Sequence, residues 1–349
     1  MSHTTGANTM KRQVLLATTL AALLALPALA NDSTAELAAG GLILKTTDSI
    51  EMRSEDLFIS QKAVVVKYRF QNTSAAPVST VVAFPMPDIG GEGFFESDNG
   101  LPSDDATNLL QFNTLVDGKP VKAQVEQKAL VNGVDRTAWL KARGIPLAAH
   151  RPEAGKALDA LGKADKDEAV RLGIAWISEY DAGKGWESHA EPAWVLKTTF
   201  YWTQVFPAGK IVEVEHRYIP AVGGSVDTIV VMSAADNPEF QASIDAERKR
   251  YCVDQSFLTA MKTRAAKAEG SMSGYTEKRI GYVLKTGANW AKPIGDFRLV
   301  IDKGAADNLV SFCATGVKKI APTRFEVVKK NYTPTSDLEI LILEPIRVE

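Results

Sequence analysis

AVVVKYRFQNTSAAPVSTVVAFP, residues 63–85, decides the fold. Val64, Val66, Tyr68 and Phe70 alternate with Val65, Lys67, Arg69 and Gln71, and a period of two puts one set of side chains on one face of a β-strand. Residues 72–77 supply turn chemistry, and β-branched residues resume at Val78 and run into Phe84-Pro85-Met86-Pro87. The prolines remove backbone donors and fix φ, which ends a strand cleanly at a sheet edge.

The same texture continues on both sides of this stretch. EDLFISQ (55–61) precedes it, and QFNTLV (111–116) and VKAQVEQ (121–127) flank Asp117-Gly118-Lys119-Pro120 as a hairpin. Residues 88–105 are rich in Gly, Asp and Ser and read as a long exposed loop. AWVLKTTFYWTQVF (193–206) and KIVEVEHRYIP (210–220) form a second hairpin around Pro207-Ala208-Gly209, with Val212, Val214, His216 and Tyr218 on alternate positions. DTIVVMS (227–233), KRIGYVLKT, DFRLVIDK, NLVSFCAT, TRFEVVKK and LEILILEP (338–345) add further strands. Residues 134–180 differ: Leu158, Leu161, Val170, Ile174 and Ile177 recur at helical spacing, which predicts two or three inserted helices, with Pro146 and Pro152 breaking the first. A second helical patch, 237–267, contains Cys252.

The predicted fold is mainly β: an antiparallel β-sandwich with a helical insertion, plus a second β-rich module with a short helical segment. Its expected divisions are a signal peptide over 1–30, an N-terminal domain over 31–233 with the insertion at about 134–180, and a C-terminal module over 234–349.

The leader is read from Lys11 and Arg12, the apolar run of residues 14–30, and the small residues Ala28 and Ala30. A basic start, a short apolar stretch and a small-residue cut site make a Sec-type signal peptide, cleaved after Ala30. About thirteen apolar residues before Pro27 fall short of the roughly 20 that cross a bilayer, so a membrane anchor is the weaker alternative. Met10 offers a second translation start. The processed chain is expected in the periplasm or outside the cell and not membrane-spanning.

Of 40 Lys and Arg, two leave with the leader, so 38 face 42 acidic residues and the charge is about −4. Phosphate neutralisation needs a basic patch, and Arg248-Lys249-Arg250 and Lys329-Lys330 read as solvated faces, so neither nucleic acid nor nucleotide is expected as a partner. Cys252 and Cys313 are the two cysteines of the chain. An exported chain most simply joins such a pair as a disulfide, two buried thiols being the alternative.

No catalytic residue is predicted. Gly-x-Ser-x-Gly is absent, residues 270–274 (GSMSG) having Gly-x-x-x-Gly, and neither a phosphate loop nor a Rossmann glycine fingerprint occurs, so no cofactor is expected. WESHAEPAW places Glu187, His189 and Glu191 at alternate positions; in a strand they share one face, where two carboxylates and an imidazole make a weak candidate for a divalent metal site, against the plainer reading of an acidic solvated loop. Trp176, Trp186, Trp194 and Trp202 cluster with Tyr180, Phe200, Tyr201 and Phe206, and Trp186, Trp194, Tyr201 and Trp202 are candidates for a ligand surface unless all of them pack in the core.

VVVKYRFQNTSAAPVSTVVAFPMPDI, FYWTQVFPAGKIVEVEHRYIPAVGG and the stretch from Asn289 through LEILIL (338–343) together resemble the exported bacterial proteins of the domain-of-unknown-function 4424 family. The carrying elements are Phe84-Pro85-Met86-Pro87, the aromatic strand leading into Phe206-Pro207, and Trp290 to Ile294. The resemblance implies an exported β protein and names no reaction. Phe-Pro-Met-Pro at a strand end is also locally similar to the N-terminal β module of vault and inter-alpha-trypsin proteins, which implies a binding role by analogy alone. The functional expectation is an exported cell-envelope protein that binds or scaffolds an envelope protein or a glycan; the alternative is an envelope hydrolase acting on cell-wall glycan near His189.

Overall fold

A computed structural model describes residues 31–346 apart from 39–40, 91–99, 182, 184, 233–237 and 266–273. The leader, half of the glycine-rich 88–105 loop (residues 91–99) and most of GSMSG lie outside the described residues. The chain is mostly β, with antiparallel and mixed sheets and few helices.

The deciding stretch forms Ala63–Asn72 and Val78–Pro85, with Val64, Val66, Tyr68 and Phe70 all buried. They do not pair with each other. Ala63–Asn72 sits in an eight-stranded sheet between Ile50–Ser60 and Ile211–Tyr218, whereas Val78–Pro85 joins a seven-stranded sheet between Val195–Phe206 and Ser33–Ala38. The turn at Asn72 thus carries the chain from one sheet to another, and Asn72 Nδ2 holds the corner by donating to the carbonyls of Ala76 and Phe206 at 2.8 and 2.9 Å.

Ile294–Asp302 pairs in parallel with Ile50–Ser60, so the eight-stranded sheet takes strands from both sides of residue 233. A four-stranded sheet built around Tyr275–Tyr282 and Leu338–Pro345 completes the β architecture. One apolar cluster contains Tyr68 and Phe70 of the first sheet, Phe84 and Trp202 of the second, and Ile280 and Ile342 of the third. Leu338–Pro345 is apolar on both faces for a reason: Ile340 and Ile342 enter that cluster, while Leu341 and Leu343 pack under the helices Gln241–Arg250 and Gln255–Ala265 with Tyr251 and Met261. Cys252 and Cys313 form a disulfide that ties this helical layer to the strand end at Phe312.

Four local readings change. The hairpin expected around Pro207-Ala208-Gly209 does not form, because Val195–Phe206 lies in the seven-stranded sheet and Ile211–Tyr218 in the eight-stranded one. The hairpin at Asp117-Gly118 forms, with both residues at positive φ (48° and 74°) as a two-residue turn requires, but the second strand is only Lys119–Val121. The chain then leaves for the other sheet as Gln124–Val131, splitting the expected strand VKAQVEQ. DTIVVMS, expected as a strand, instead makes the 3₁₀ turn Ile229–Val231, capped by Thr228 and seated by the fully buried Val230 against Tyr251; tertiary packing outweighs β propensity there. The insertion holds three helices, Thr137–Ala142, Pro152–Asp159 and Lys163–Arg171, yet Ile177 is not helical. Gly173, at φ +70°, terminates the third helix, and Ala175–Asp181 pairs with Trp186–Pro192 as a two-stranded flap. Pro152 opens the second helix, where a missing N–H costs nothing.

Candidate functional site

The flap and the helix Pro152–Asp159 enclose a cleft of ≈ 480 Å³. Strand register decides what faces it. Trp176, Ser178 and Tyr180 lie opposite Glu191, His189 and Glu187, so these six side chains share one face of the flap. The expectation that Glu187, His189 and Glu191 are extended on one face corresponds to this register.

Asp159 anchors the cleft floor. Its Oδ1 accepts the N–H of Ala190 at 2.8 Å and its Oδ2 lies 2.9 Å from His189 Nδ1, which ties the end of the helix to the flap. Burial works to raise the Asp159 pKa, but it is outweighed by the hydrogen bonds from Ala190 and His189 and the charges of His189 and Lys166, and the carboxyl is held below its usual range. His189 moves the opposite way: its hydrogen bond to Asp159 raises its proton affinity, with Asp159, Glu187 and Glu191 adding attraction. Tyr180 stacks on the imidazole at 4.6 Å between ring centres, and Glu187 Oε2 is 3.5 Å from Nε2. Glu191 is engaged by the hydroxyl of Ser178 at 3.2 Å. Trp176 and Tyr180, 54% and 43% exposed, are large apolar surfaces facing solvent beside this polar group. His150, Arg151 and Lys156 line the far wall, and burial together with the Arg151 charge lowers the His150 pKa.

Among the described residues no group of three or more His, Cys, Asp or Glu is arranged to hold a metal ion. Glu191 is turned to Ser178, and the near partners of His189 are Asp159 and Glu187. Asp159, 30 residues away from His189, carries no signal in the sequence that relates it to the flap. The aromatic candidates separate. Trp186 stands at the flap tip, 79% exposed. Trp194 is fully buried among the helices and donates its indole N–H to the Leu147 carbonyl at 2.7 Å, and Trp202 is buried against His216 in the main core. Tyr201 is half-buried on the opposite face of the same strand from Trp202. These four therefore form no common surface; the exposed aromatics beside the cleft are Trp176 and Tyr180, which share the flap face with His189.

A mixed-sheet β protein with a flap-covered, aromatic-walled cleft is the class that this geometry defines. The chain belongs to the family described as Domain of unknown function (DUF4424), whose model matches residues 30–341. The local likeness to the vault and inter-alpha-trypsin module finds no support beside it. No curated protein matches the chain. A crystal structure from Legionella pneumophila, of a protein named as a candidate nutrient binding protein, is similar at 17% identity with a TM-score of 0.41, over 85% of this chain and 68% of that one.

Proposed function

We propose that the protein is exported to the cell envelope and binds a glycan there without chemical turnover, using the cleft between the flap and the helix Pro152–Asp159. The observation that carries this reading is the shared flap face of Trp176, Tyr180 and His189. Two aromatic faces four residues apart on a strand are separated by about 13 Å, longer than one pyranose ring, and the carboxylates and imidazole between them supply acceptors and donors for hydroxyl groups. The leader pattern and the Cys252–Cys313 disulfide support the compartment. No helix among the described residues is long and apolar enough to cross a membrane.

Calorimetric titration of the purified protein with cell-wall glycan fragments tests the reading. Binding that is lost on Trp176→Ala supports it; no binding, or binding untouched by that change, contradicts it. The compartment has a separate check, a thiol count on unfolded, unreduced protein from the envelope fraction, where no reactive thiol is expected and two would contradict the oxidised pair. A hydrolase reading draws on the same His189 between Asp159 and Glu187. Release of sugar ends by the wild type, abolished by His189→Ala, would put that reading in place of simple binding.

A further inference from the structure

Asn31 and Asp32 have no solvent exposure, and the groups they meet are buried with them. Asn31 Nδ2 donates to Glu55 Oε2 at 3.1 Å, and its side-chain oxygen accepts from the Tyr68 hydroxyl, which lies 3.2 Å from that of Tyr282. Thr286 donates to the Asn31 carbonyl at 2.8 Å, and the Trp290 indole donates to the Asp32 carbonyl at 2.8 Å. Asp32 Oδ1 is 3.0 Å from His216 Nε2. Gly287 closes the cradle: a Cβ there would stand 2.8 Å from Asn31 Nδ2, so only glycine lets the 3₁₀ turn approach so closely.

This pocket is short of positive charge. It holds two carboxyl groups, Asp32 and Glu55, against one imidazole, and no Lys or Arg is among the hydrogen-bonding partners of either acid in the described residues. Asp32 Oδ2 and Glu55 Oε1 are buried with no hydrogen-bond partner among those residues. Two unsatisfied buried carboxylate oxygens are costly to a fold, and native proteins pair them. Burial, partly offset by the Asn31 amide and the Tyr282 hydroxyl and reinforced by the nearby Asp32, pushes the Glu55 pKa up to about 8. What is missing is a compact cation with several donors.

The predicted leader cut supplies one. We propose that removal of residues 1–30 makes the Asn31 α-ammonium the resident cation of this pocket, where it pairs with Glu55 and Asp32 and completes the fold only after export. The inference rests on the export reading and its cut after Ala30. A leader peptidase hydrolyses the Ala30–Asn31 amide: water adds its hydroxyl to the Ala30 carbonyl carbon, the C–N bond breaks, and the nitrogen of Asn31 leaves as an amine that takes up a proton. Covalent geometry keeps that nitrogen within about 5 Å of Nδ2 of the same residue, the atom that already touches Glu55. An ammonium has three donors, enough for both orphan oxygens. The unprocessed chain has an amide nitrogen there with no charge, so it lacks this ion pair.

The test uses protein purified from the envelope fraction and the same residues carrying one Met ahead of Asn31, both with the disulfide formed. Intact mass of the exported chain reads the cut, and Asn31 is the expected first residue; any other first residue overturns the cut and the proposal with it. Amine-directed acylation followed by peptide mapping reads the pocket: the Asn31 amine of the folded exported chain is expected to react at least about 100-fold more slowly than in urea, and reaction at the unfolded rate overturns the pocket while leaving export intact. Glu55→Gln gives an independent readout that does not depend on labelling. It is expected to lower Tm in the exported chain, and to leave it unchanged or raise it in the Met-extended chain. An equal effect in both chains overturns the pairing.

Discussion

Two histidine–aspartate pairs of nearly equal length sit in opposite surroundings. His216 and Asp32, 3.0 Å apart, have no exposed side-chain surface, and the imidazole is ringed by Tyr68, Phe84, Phe112 and Trp202. His189 and Asp159, 2.9 Å apart, lie at the edge of an open cleft with about a quarter and a third of their side chains exposed. The same pairing therefore does two jobs. In the sealed core it satisfies groups that water cannot reach, and its loss is a stability event. At the flap it fixes the tilt of a ring that solvent can reach, and on the proposed function its loss is a binding event.

The largest effect expected from breaking this comparison is on the buried side. His216→Ala leaves Asp32 without its partner and opens a cavity among four aromatic rings, and is expected to cost about 3–5 kcal/mol in urea unfolding. Trp194→Ala belongs in the same range, about 3–5 kcal/mol, because it removes a fully buried ring and strands the Leu147 carbonyl. A loss below about 1 kcal/mol in either, the size of an ordinary substitution, would contradict the buried role.

A smaller effect reads Glu55 in the core through pH. A carboxyl that keeps its proton to about pH 8 when folded and loses it near 4.5 when unfolded stabilises the fold below pH 4.5, and that contribution declines as pH rises toward 8. In the Met-extended chain Tm should therefore fall across that window, and Glu55→Gln should remove the slope. If the slope survives the substitution, Glu55 is not its source.

At the flap the sign is the same but the window starts higher. Asp159 raises the proton affinity of His189, so the pair contributes fully below the ordinary imidazole value of about 6.5, and the contribution is lost as pH rises through the elevated value in the folded protein. Asp159→Asn should bring the His189 titration, followed by ring-proton resonances, down toward the ordinary value with little change in Tm. The smallest effect is that of Trp186→Ala at the flap tip, expected within about 0.5 kcal/mol of the wild type.

How much of this was legible in the sequence follows from the range of the interactions. Alternation at Val64, Val66, Tyr68 and Phe70 is local, and the structure buries those residues as read. The partner strands were less legible: residues 63–72 and 78–85, read as strand, turn and strand, and residues 193–206 and 210–220, read as a hairpin, belong to different sheets, because the corner at Asn72 depends on carbonyls as distant as Phe206. Ile177 fits a helical spacing by coincidence of period, and only Gly173, with its left-handed backbone, marks where the helix stops. The Glu187, His189 and Glu191 face followed from strand parity alone. Asp159, Lys166 and the stacking of Tyr180 did not: Asp159 meets His189 through the packing of a helix onto the flap, Lys166 lies beside Asp159, and Tyr180 reaches the ring across the two flap strands. Aromatic content likewise could not tell Trp186 at the tip from Trp194 in the core; burial depends on which layer each strand end abuts.

The most direct test of the binding account follows the ring resonances of His189 and His216 together while cell-wall glycan fragments are added at neutral pH. The account predicts saturable shifts at His189 and none at His216, with the His189 response abolished by Trp176→Ala. Absence of any shift at His189, or equal shifts at both rings, would contradict a ligand seated between the flap and the helix.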